Sequence, residues 1–447
     1  MPAVITGTIE SLLENKKYSS LRDVLSTMNE ADIAAMFEEI PDDSIPLLFR
    51  LLPKDLAADT FALMETDSQE LLIRGFSDSE LKEVFDELYI DDAADIIEEM
   101  PANVVKRILK NTDPKMRQTI NEILHYPEDS AGSIMTTDYI SLRPDMSVNE
   151  AIKRIRRTIS DAETGYICYI TDDNRKLMGS LSMKNLLLSE PDDRICDIMD
   201  KSIICAHTHD DKEDVAKDMN KYAFVTMPVA DDEGRLVGIV TFDDAIDVMQ
   251  DETTEDIERM AAINPTEESY FKTGDFTHAR NRILWLLILM LSGVITGGIL
   301  KKYESAYAAI PILATFIPLL MSTGGNCGAQ SSTMIIRSMS LDEIRLRDFF
   351  KVIFTEIRVA LIIGVILAAG SSLWVWLTER DLNIAAVIGF SILGIVTISQ
   401  FIGCALPMLA KRCSLDPAVM AAPLITTIVD AASVLIYFFI ASKFFVL

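Results

Sequence analysis

Five hydrophobic segments occupy the C-terminal part of the chain and constrain its fold more than any other feature. They cover residues 283–300, 305–336, 352–377, 382–410 and 417–445. Each is long enough to cross a hydrocarbon core of about 30 Å as an α-helix. A helix satisfies its own backbone hydrogen bonds, as a bilayer requires. The sequence therefore predicts an α-helical transmembrane domain of five helices at residues 281–447.

Charged residues divide the chain into an acidic part and an apolar part. Residues 1–280 contain 59 Asp and Glu against 29 Lys and Arg, whereas residues 281–447 contain 9 acidic and 12 basic residues. Nucleic-acid binding requires a basic surface, so the acidic part argues against a nucleic-acid partner. We expect cations and the lipid bilayer as partners instead.

The sequence contains no motif that predicts catalysis or transition-metal binding. It has neither G-x-x-x-x-G-K-[ST] nor H-E-x-x-H, and no nucleophile with its base, so we predict that it is not an enzyme. The six cysteines have no zinc spacing, and His207 with His209 is typical of a loop or strand. The first residues lack a basic stretch followed by an apolar one, so we expect no cleaved signal peptide.

Short apolar segments recur through residues 1–130 with a step of about twelve residues. Examples are ADIAAMFEEIP from Ala31, DLAADTFALM from Asp55 and DDAADIIEEMP from Asp91. An Asp or Ser before a segment favours a helix N-cap, and prolines such as Pro41 and Pro53 follow segment ends. The pattern predicts an all-α superhelical domain.

Two similar α/β units follow this domain. GYICYITDDNRKLMGSLSMKNLLL from Gly165 and FVTMPVADDEGRLVGIVTFDDAIDVM from Phe224 each indicate a strand, an acidic turn, a short strand ending at a glycine, and a helix start. These units resemble a tandem pair of CBS domains. The resemblance implies a first CBS domain at residues 131–195 and a second at residues 196–250.

Adenine nucleotides are the ligands that this resemblance implies. In CBS pairs, an Asp after a Ser/Thr-x-x spacing commonly holds a ribose. Thr241 and Asp244 keep this spacing in the second copy, whereas Asn185 occupies the matching position after Ser182. ATP binding in the CBS pair is therefore supported only by Asp244.

An acidic amphipathic helix is predicted to connect the CBS pair to the membrane segments. It begins near Asp243 in DDAIDVMQDETTEDIERM, and residues 251–280 contain its remainder and a linker. Acidic residues four apart repel each other along an isolated helix. A solvated face and a cation-linked role are both open explanations for this charge run.

Polar residues interrupt two of the hydrophobic segments. PLLMSTGGNCGAQSSTMIIR from Pro318 favours a broken helix lining a wet cavity over simple close packing of helices. Asp430 is a carboxylate near the middle of the last segment, where it costs a few kcal/mol unless water or a cation lies beside it. The residues that we assign to the pore lining are Thr323, Asn326, Gln330 and Thr426.

Five spans place the two termini on opposite sides of the membrane. If the acidic part is cytoplasmic, eight basic residues flank the spans inside and four outside, in agreement with the positive-inside rule. The inner residues are Arg280, Arg282, Arg337, Arg345, Arg347, Lys351, Lys411 and Arg412, and the outer ones are Lys301, Lys302, Arg380 and Lys443. We expect a cell (inner) membrane protein with its C-terminus outside.

The order of domains resembles that of the MgtE-type magnesium channels, and three motifs carry the resemblance: PLLMSTGGNCGAQSSTMIIR, SLDPAVMAAP and PLITTIVDAASVLIY. It implies a homodimeric Mg²⁺-selective channel for magnesium uptake whose fifth helices line the pore. Asp430 matches the family's pore Asp, and Asp416 matches an acid at the cytoplasmic mouth. Ala329 and Ala422 stand where relatives often carry Asn, so we expect the cavity lining and the hydration contacts of this chain to differ from theirs.

The same resemblance implies that cytoplasmic Mg²⁺ closes the channel by binding to the acidic part. Two acidic bodies would repel each other in a dimer, and bound Mg²⁺ would favour a compact closed state. Two alternatives stay open: an H⁺- or Na⁺-coupled divalent cation carrier, and a membrane-anchored CBS nucleotide sensor that transports nothing. The residues that match sensing acids are Asp59, Asp91, Asp95, Asp211, Glu213, Asp244, Asp247, Glu252, Glu255 and Asp256.

Overall fold

The computed structural model describes residues 2–266, 270, 273–420 and 422–445. The chain divides into two compact units, Met1–Met249 and Gln250–Leu447. Part of the predicted linker, at 267–269 and 271–272, lies outside the described residues.

Short α-helices make up the N-terminal part of the first unit, as the repeat predicts. α3 packs on α5, α5 on α7 and α7 on α9, so alternate helices stack on one another. Phenylalanines form the centre of their shared core, with Phe49 and Phe76 rings 5.4 Å apart. The helices are α1 Pro2–Glu14, α2 Tyr18–Leu25, α3 Glu30–Glu39, α4 Ile45–Phe49, α5 Lys54–Ala62, α6 Thr66–Gly75, α7 Asp78–Phe85, α8 Ile90–Glu99, α9 Ala102–Asn111 and α10 Pro114–Ile123.

Two acidic residues near the start of these helices do not occupy the N-cap positions that the sequence predicts. Ser77 does cap α7, in a capping box with Glu80. Asp55 and Asp91, however, lie inside the first turns of α5 and α8. The N-cap prediction is wrong at these two positions. Carboxylates are favourable in a first turn without a direct capping bond, because the helix dipole is positive there.

Two three-stranded sheets follow, and each has the same topology. β1 pairs in parallel with β2, which pairs antiparallel with β3, and the second sheet repeats this arrangement in the order β4-β5-β6. The elements are β1 Ser141–Leu142, α11 Val148–Thr158, β2 Ile167–Thr171, β3 Leu177–Ser182, α12 Met183–Leu188, α13 Ile195–Ile198, β4 Ala206–His207, α14 Lys212–Tyr222, β5 Thr226–Ala230, β6 Leu236–Thr241 and α15 Phe242–Met260. The duplicated α/β unit is therefore confirmed.

Gly179 and Gly238 occupy equivalent positions in the two copies. The strands run through these glycines, so the prediction that the strands end there is wrong. A Cβ on Gly179 would lie 2.9 Å from the Asp200 carbonyl oxygen, and one on Gly238 would lie 2.7 Å from that of Thr136. Each glycine thus permits a second backbone segment to approach its strand closely.

Five helices of the second unit are long and apolar enough to cross a membrane, among the residues that the structure describes. α20 packs on α21, and α19 packs on both α21 and α22. α21 is the most buried of the five and forms the centre of the unit. The elements are α16 Asp275–Lys302, α17 Glu304–Ala309, α18 Ile312–Thr315, α19 Ile317–Ser340, α20 Phe349–Glu379, α21 Leu382–Arg412 and α22 Ala422–Phe445.

The polar stretch of the second span is a continuous helix. α19 runs unbroken from Ile317 to Ser340, and the interruptions precede it, between α17, α18 and α19. The broken-helix prediction for this stretch is therefore wrong. A Cβ on Gly324 would lie 2.7 Å from Ile395 Cγ2 and 2.8 Å from Ser433 Oγ, so the glycine allows α19 to approach α21 and α22.

Candidate functional site

Asp430 lies near the middle of α22, on a half-buried part of that helix. α22 packs against α16, α19 and α21, and its buried face carries Val429 and Val434. Within the described ranges, no Lys, Arg or His forms an ion pair with the Asp430 carboxylate. The predicted pore acid therefore needs another source of positive charge or water if it is ionised.

The other predicted pore residues lie on α19 and α22. Thr323, Asn326 and Gln330 are three and four positions apart and so share one face of α19, on which Asn326 and Gln330 are exposed. Thr426 precedes Asp430 by one turn, and its hydroxyl donates to the Pro423 carbonyl at 2.9 Å. The hydroxyl oxygen can still accept a hydrogen bond.

α19 and α22 meet closely beside these residues. A Cβ on Gly325 would lie 3.1 Å from Thr426 Cγ2, so the absence of a side chain there brings the α19 backbone against Thr426. Ala329 is half-buried on α19. Ala422 is the first residue of α22, and its side chain lies outside the described part of the structure.

Asp416 lies between α21 and α22, at one end of the membrane helices. Its Oδ1 accepts a hydrogen bond from the Ala418 N–H at 2.8 Å, at the start of the 3₁₀ turn Pro417–Met420. Its Oδ2 accepts from the Arg259 guanidinium of α15. The predicted mouth acid is thus paired with a basic side chain that was not predicted as part of a site.

Carboxyl groups from α8, the start of α15 and the segment before β2 interact with one another in the first unit. Asp91 is buried, and its Oδ1 has no hydrogen-bond partner in the described structure. Glu163 Oε2 is likewise buried without a partner. The Asp244 carboxylate accepts from the Thr241 hydroxyl at 2.5 Å.

Burial and mutual repulsion raise the pKa values in this cluster. Burial, followed by the charge of Asp244, raises the pKa of Asp92 to about 7, whereas Asp95 on the same helix is exposed. Burial, then Asp92 and Asp244, raises the pKa of Glu163 to about 8. Burial is also the first cause that raises the pKa of Asp244 to about 6 and that of Asp91 well above its ordinary value. Both burial and neighbouring carboxylates disfavour the ionised form of these groups.

The structure groups some of the predicted sensing acids and separates others. Asp91 and Asp244 belong to one cluster, Asp247 adds to the charge around Asp244, and Asp95 is exposed on α8 within the electrostatic influence of Asp244. Asp59 lies in a neighbouring acidic cavity of about 520 Å³. Among the described residues, no three Asp, Glu, His or Cys side chains are arranged to hold a metal ion.

Three of the remaining predicted sensing acids have local roles. Asp211 caps α14 by accepting from the Glu213 N–H at 2.8 Å, and Glu213 pairs with Lys217 at 2.6 Å. Glu255 pairs with Arg259 one turn later on α15. Glu252 and Asp256 lie on the same helix, and the sensing role of all these acids stays a prediction.

A cleft of about 810 Å³ lies within the CBS pair. It is lined by residues of both copies, including Ile155, Arg156, Tyr166, Thr241 and Asp243. Asp243 lines the cleft, whereas the predicted ribose ligand Asp244 bonds to Thr241 and faces the acidic cluster. The cleft is large enough for a nucleotide.

Family comparisons agree with this order of elements. Residues 317–440 match a family described as a divalent cation transporter, MgtE, and residues 28–129 match the MgtE intracellular N domain. Residues 131–191 and 195–251 match the CBS domain. A magnesium transporter MgtE from Thermus thermophilus is 34% identical over 99% of this chain and 98% of its own length. This chain belongs to the MgtE family.

Other members and a solved structure agree with this assignment. The magnesium transporter MgtE of Bacillus subtilis is 30% identical over 97% of this chain and 96% of its own length. A crystal structure of the cytosolic domain of the Mg²⁺ channel MgtE with ATP is 34% identical, with a TM-score of 0.52, and covers 54% of this chain and 99% of that chain. The MgtE resemblance and the predicted fold class are confirmed, whereas the predicted domain limits stay predictions.

Three residues of this MgtE-family chain belong to the acidic cluster or contact Asp416, although the sequence did not predict a role for them. Asp92 is adjacent to the predicted acid Asp91, and this adjacency could have indicated its place in the cluster. Glu163 lies in the first CBS copy with no distinguishing pattern around it. Arg259 is the one basic residue in the acidic run of α15, which was a signal in the charge pattern.

Proposed function

We propose that this MgtE-family chain forms a homodimeric, Mg²⁺-selective channel for magnesium uptake that cytoplasmic Mg²⁺ closes. The observation that carries the proposal is the half-buried Asp430 carboxylate in the middle of a membrane-length helix, without an ion-pair partner in the described residues. In a dimer, two such carboxylates face a shared pathway. They repel each other unless a divalent cation lies between them.

The surrounding groups suit a hydrated ion. Mg²⁺ holds its water molecules strongly and is commonly bound through them. The hydroxyl oxygen of Thr426 and the amide oxygens of Asn326 and Gln330 can accept hydrogen bonds from such water. Asp430 then supplies the charge that attracts the ion, and the neutral oxygens orient its hydration shell.

The acidic cluster of the first unit supports a sensing role. Asp91, Asp92, Asp244 and Glu163 repel one another, and burial together with this repulsion raises their pKa values above the ordinary range of carboxyl groups. A divalent cation would relieve their repulsion and stabilise the arrangement that brings them together. With this part in the cytoplasm and the C-terminus outside, magnesium sufficiency in the cell closes the channel.

Single-channel recording from the purified full-length protein in a planar bilayer tests this proposal. We expect discrete Mg²⁺ openings whose frequency falls as Mg²⁺ is raised on the side of the acidic part. Absence of openings, together with liposome uptake driven by an imposed H⁺ or Na⁺ gradient, would establish the coupled carrier instead. Absence of both kinds of flux would support the non-transporting nucleotide sensor.

ATP is a second ligand that we propose, in the cleft of the CBS pair. A solved cytosolic domain in the same family is described in complex with ATP, and the cleft of about 810 Å³ in this chain has Thr241, Arg156 and Tyr166 on its walls. Calorimetry with Mg-free ATP should detect binding that Arg156→Ala weakens. Unchanged binding in that variant would exclude this cleft as the ATP site.

A further inference from the structure

The C-terminal turn of α15 is joined to the membrane helices by an arginine with two carboxylate partners. Arg259 lies next to the last residue of α15, and both partners belong to the same compact unit. Its Nη2 contacts Glu255 Oε1, and its Nη1 contacts Asp416 Oδ2. One guanidinium therefore lies between two acids from different elements.

Asp416 is also part of the segment that leads into α22. Its second oxygen accepts the Ala418 N–H at 2.8 Å, so the same carboxylate holds the turn before α22 and receives Arg259. The Arg259 and Asp416 side chains are 37% and 28% exposed, so the pair is partly shielded from water.

Apolar packing reinforces this contact. Met260, the next residue after Arg259, packs against Ile336 of α19 and Ala418 of the turn before α22. The end of α15 thus contacts α19 and the turn before α22. α19 and α22 are the two helices that carry the candidate pore residues. A change in the position of α15 would act directly on the start of α22.

We propose that Arg259 acts as a built-in cation that holds Glu255 and Asp416 together without a divalent ion, and so positions the start of the pore helix. This proposal rests on the channel function proposed above. Without the guanidinium, Glu255 and Asp416 would be two carboxylates facing each other, which repel unless a divalent cation joins them. Arg259 therefore makes this contact independent of Mg²⁺ and competes with Mg²⁺ for Asp416.

Disulfide trapping measures the contact without any transport. Met260→Cys and Ala418→Cys are introduced into full-length protein that also carries Cys413→Ser, because Cys413 is exposed close by in sequence. In EDTA, we expect rapid disulfide formation when Arg259 is present. Adding Arg259→Gln should lower the rate of disulfide formation about tenfold, and millimolar Mg²⁺ should restore that rate.

Two further variants separate this role from simple loss of structure. Exchanging the charges, with Arg259→Asp and Asp416→Arg together, should restore rapid trapping in EDTA. Arg280→Gln removes an exposed arginine of α16 and should leave the rate unchanged. Equal rates with and without Arg259→Gln in EDTA, or a loss that neither Mg²⁺ nor the charge exchange restores, would overturn the proposal.

Channel recording gives an independent readout. In the absence of Mg²⁺ on the side of the acidic part, Arg259→Gln should raise the open probability several-fold, while added Mg²⁺ should still close the channel. An unchanged open probability in a variant that traps slowly would overturn the coupling to the pore. If the unmodified protein conducts no Mg²⁺, the channel proposal fails, and disulfide trapping still tests the Arg259 contact.

Discussion

Individual carboxylates in this protein lie in sharply different surroundings. Asp430 is half-buried within a span, Asp416 is paired with Arg259, and Asp91 is buried with an unpartnered oxygen. The energetic cost of an ionised carboxylate depends on what compensates its charge. We therefore expect Asp430 to attract an ion, Asp416 to form a stable contact and Asp91 to respond to added cation.

At this scale, Asp430→Asn should lower Mg²⁺ conductance at least about tenfold, because it removes the charge that concentrates a divalent ion in the pathway. The side-chain volume is nearly unchanged, so folding should be retained. Single-channel recording with Mg²⁺ as the permeating ion makes the measurement.

Glu356→Gln provides the matched control. Glu356 is also an acid within a span, and its Oε2 accepts from Ser331 Oγ at 2.7 Å, which a Gln amide oxygen can reproduce. This variant should conduct Mg²⁺ as the unmodified protein does. Normal Mg²⁺ conductance and selectivity in Asp430→Asn would contradict the assignment of Asp430.

Close helix approach is the main feature at the scale of elements. A Cβ on Gly403 of α21 would lie 2.4 Å from the Gly328 carbonyl oxygen of α19, and that atom belongs to the backbone. Neither helix can accept a side chain there without moving. Small residues at this crossing therefore allow the two backbones to pack closely.

Gly403→Ala should destabilise the membrane unit by about 1–3 kcal/mol, the usual cost of overpacking a tight interior. Gly370→Ala in α20 is the control, since a Cβ there meets nothing within 4 Å. Thermal unfolding of the purified protein in detergent should show a lower Tm for Gly403→Ala alone. Equal Tm values for the two variants would refute the close crossing of α19 and α21.

At the scale of the whole molecule, charge is distributed very unequally. The first 280 residues carry 30 more acidic than basic side chains, and the remainder carries three more basic than acidic ones. In the acidic cluster, the pKa values of Asp244, Asp92 and Glu163 are raised to about 6, 7 and 8, respectively. Folding of this part is therefore linked to protons, and we expect divalent cations to compete with them.

Raised carboxyl pKa values mean that the folded protein binds more protons than the unfolded chain between about pH 4 and pH 8, so stability falls as pH rises through this range. In EDTA, we expect Tm to fall by about 5 °C between about pH 6 and pH 8. Millimolar Mg²⁺ should raise Tm more at the higher pH, because protons and Mg²⁺ compete for the same carboxylates.

Glu163→Gln should reduce this pH dependence and raise Tm at the higher pH, since it removes one charge from the cluster. Asp192→Asn, at an exposed acid of the first CBS copy, should change neither the pH dependence of Tm nor the Tm at the higher pH. A Tm in EDTA that rises between about pH 6 and pH 8 would contradict the predicted linkage.

The sequence by itself determined the kinds of element and their order. Helix length and hydrophobicity are local properties, so five spans, the short-helix repeat and the duplicated α/β unit could all be predicted. The position of Asp430 inside a span followed from the same local pattern. Family motifs added the expected roles of Asp430 and Asp416, because those motifs are contiguous in the chain.

Only the tertiary structure decided which distant residues meet. Arg259 and Asp416 are 157 positions apart, and no local pattern reports their pairing. Glu163 joins Asp92 and Asp244 because three separate elements fold together. The sequence could not reveal that α19 is continuous, since glycine and polar residues suit both a broken helix and a tight crossing, and the neighbouring helices determine which of the two forms.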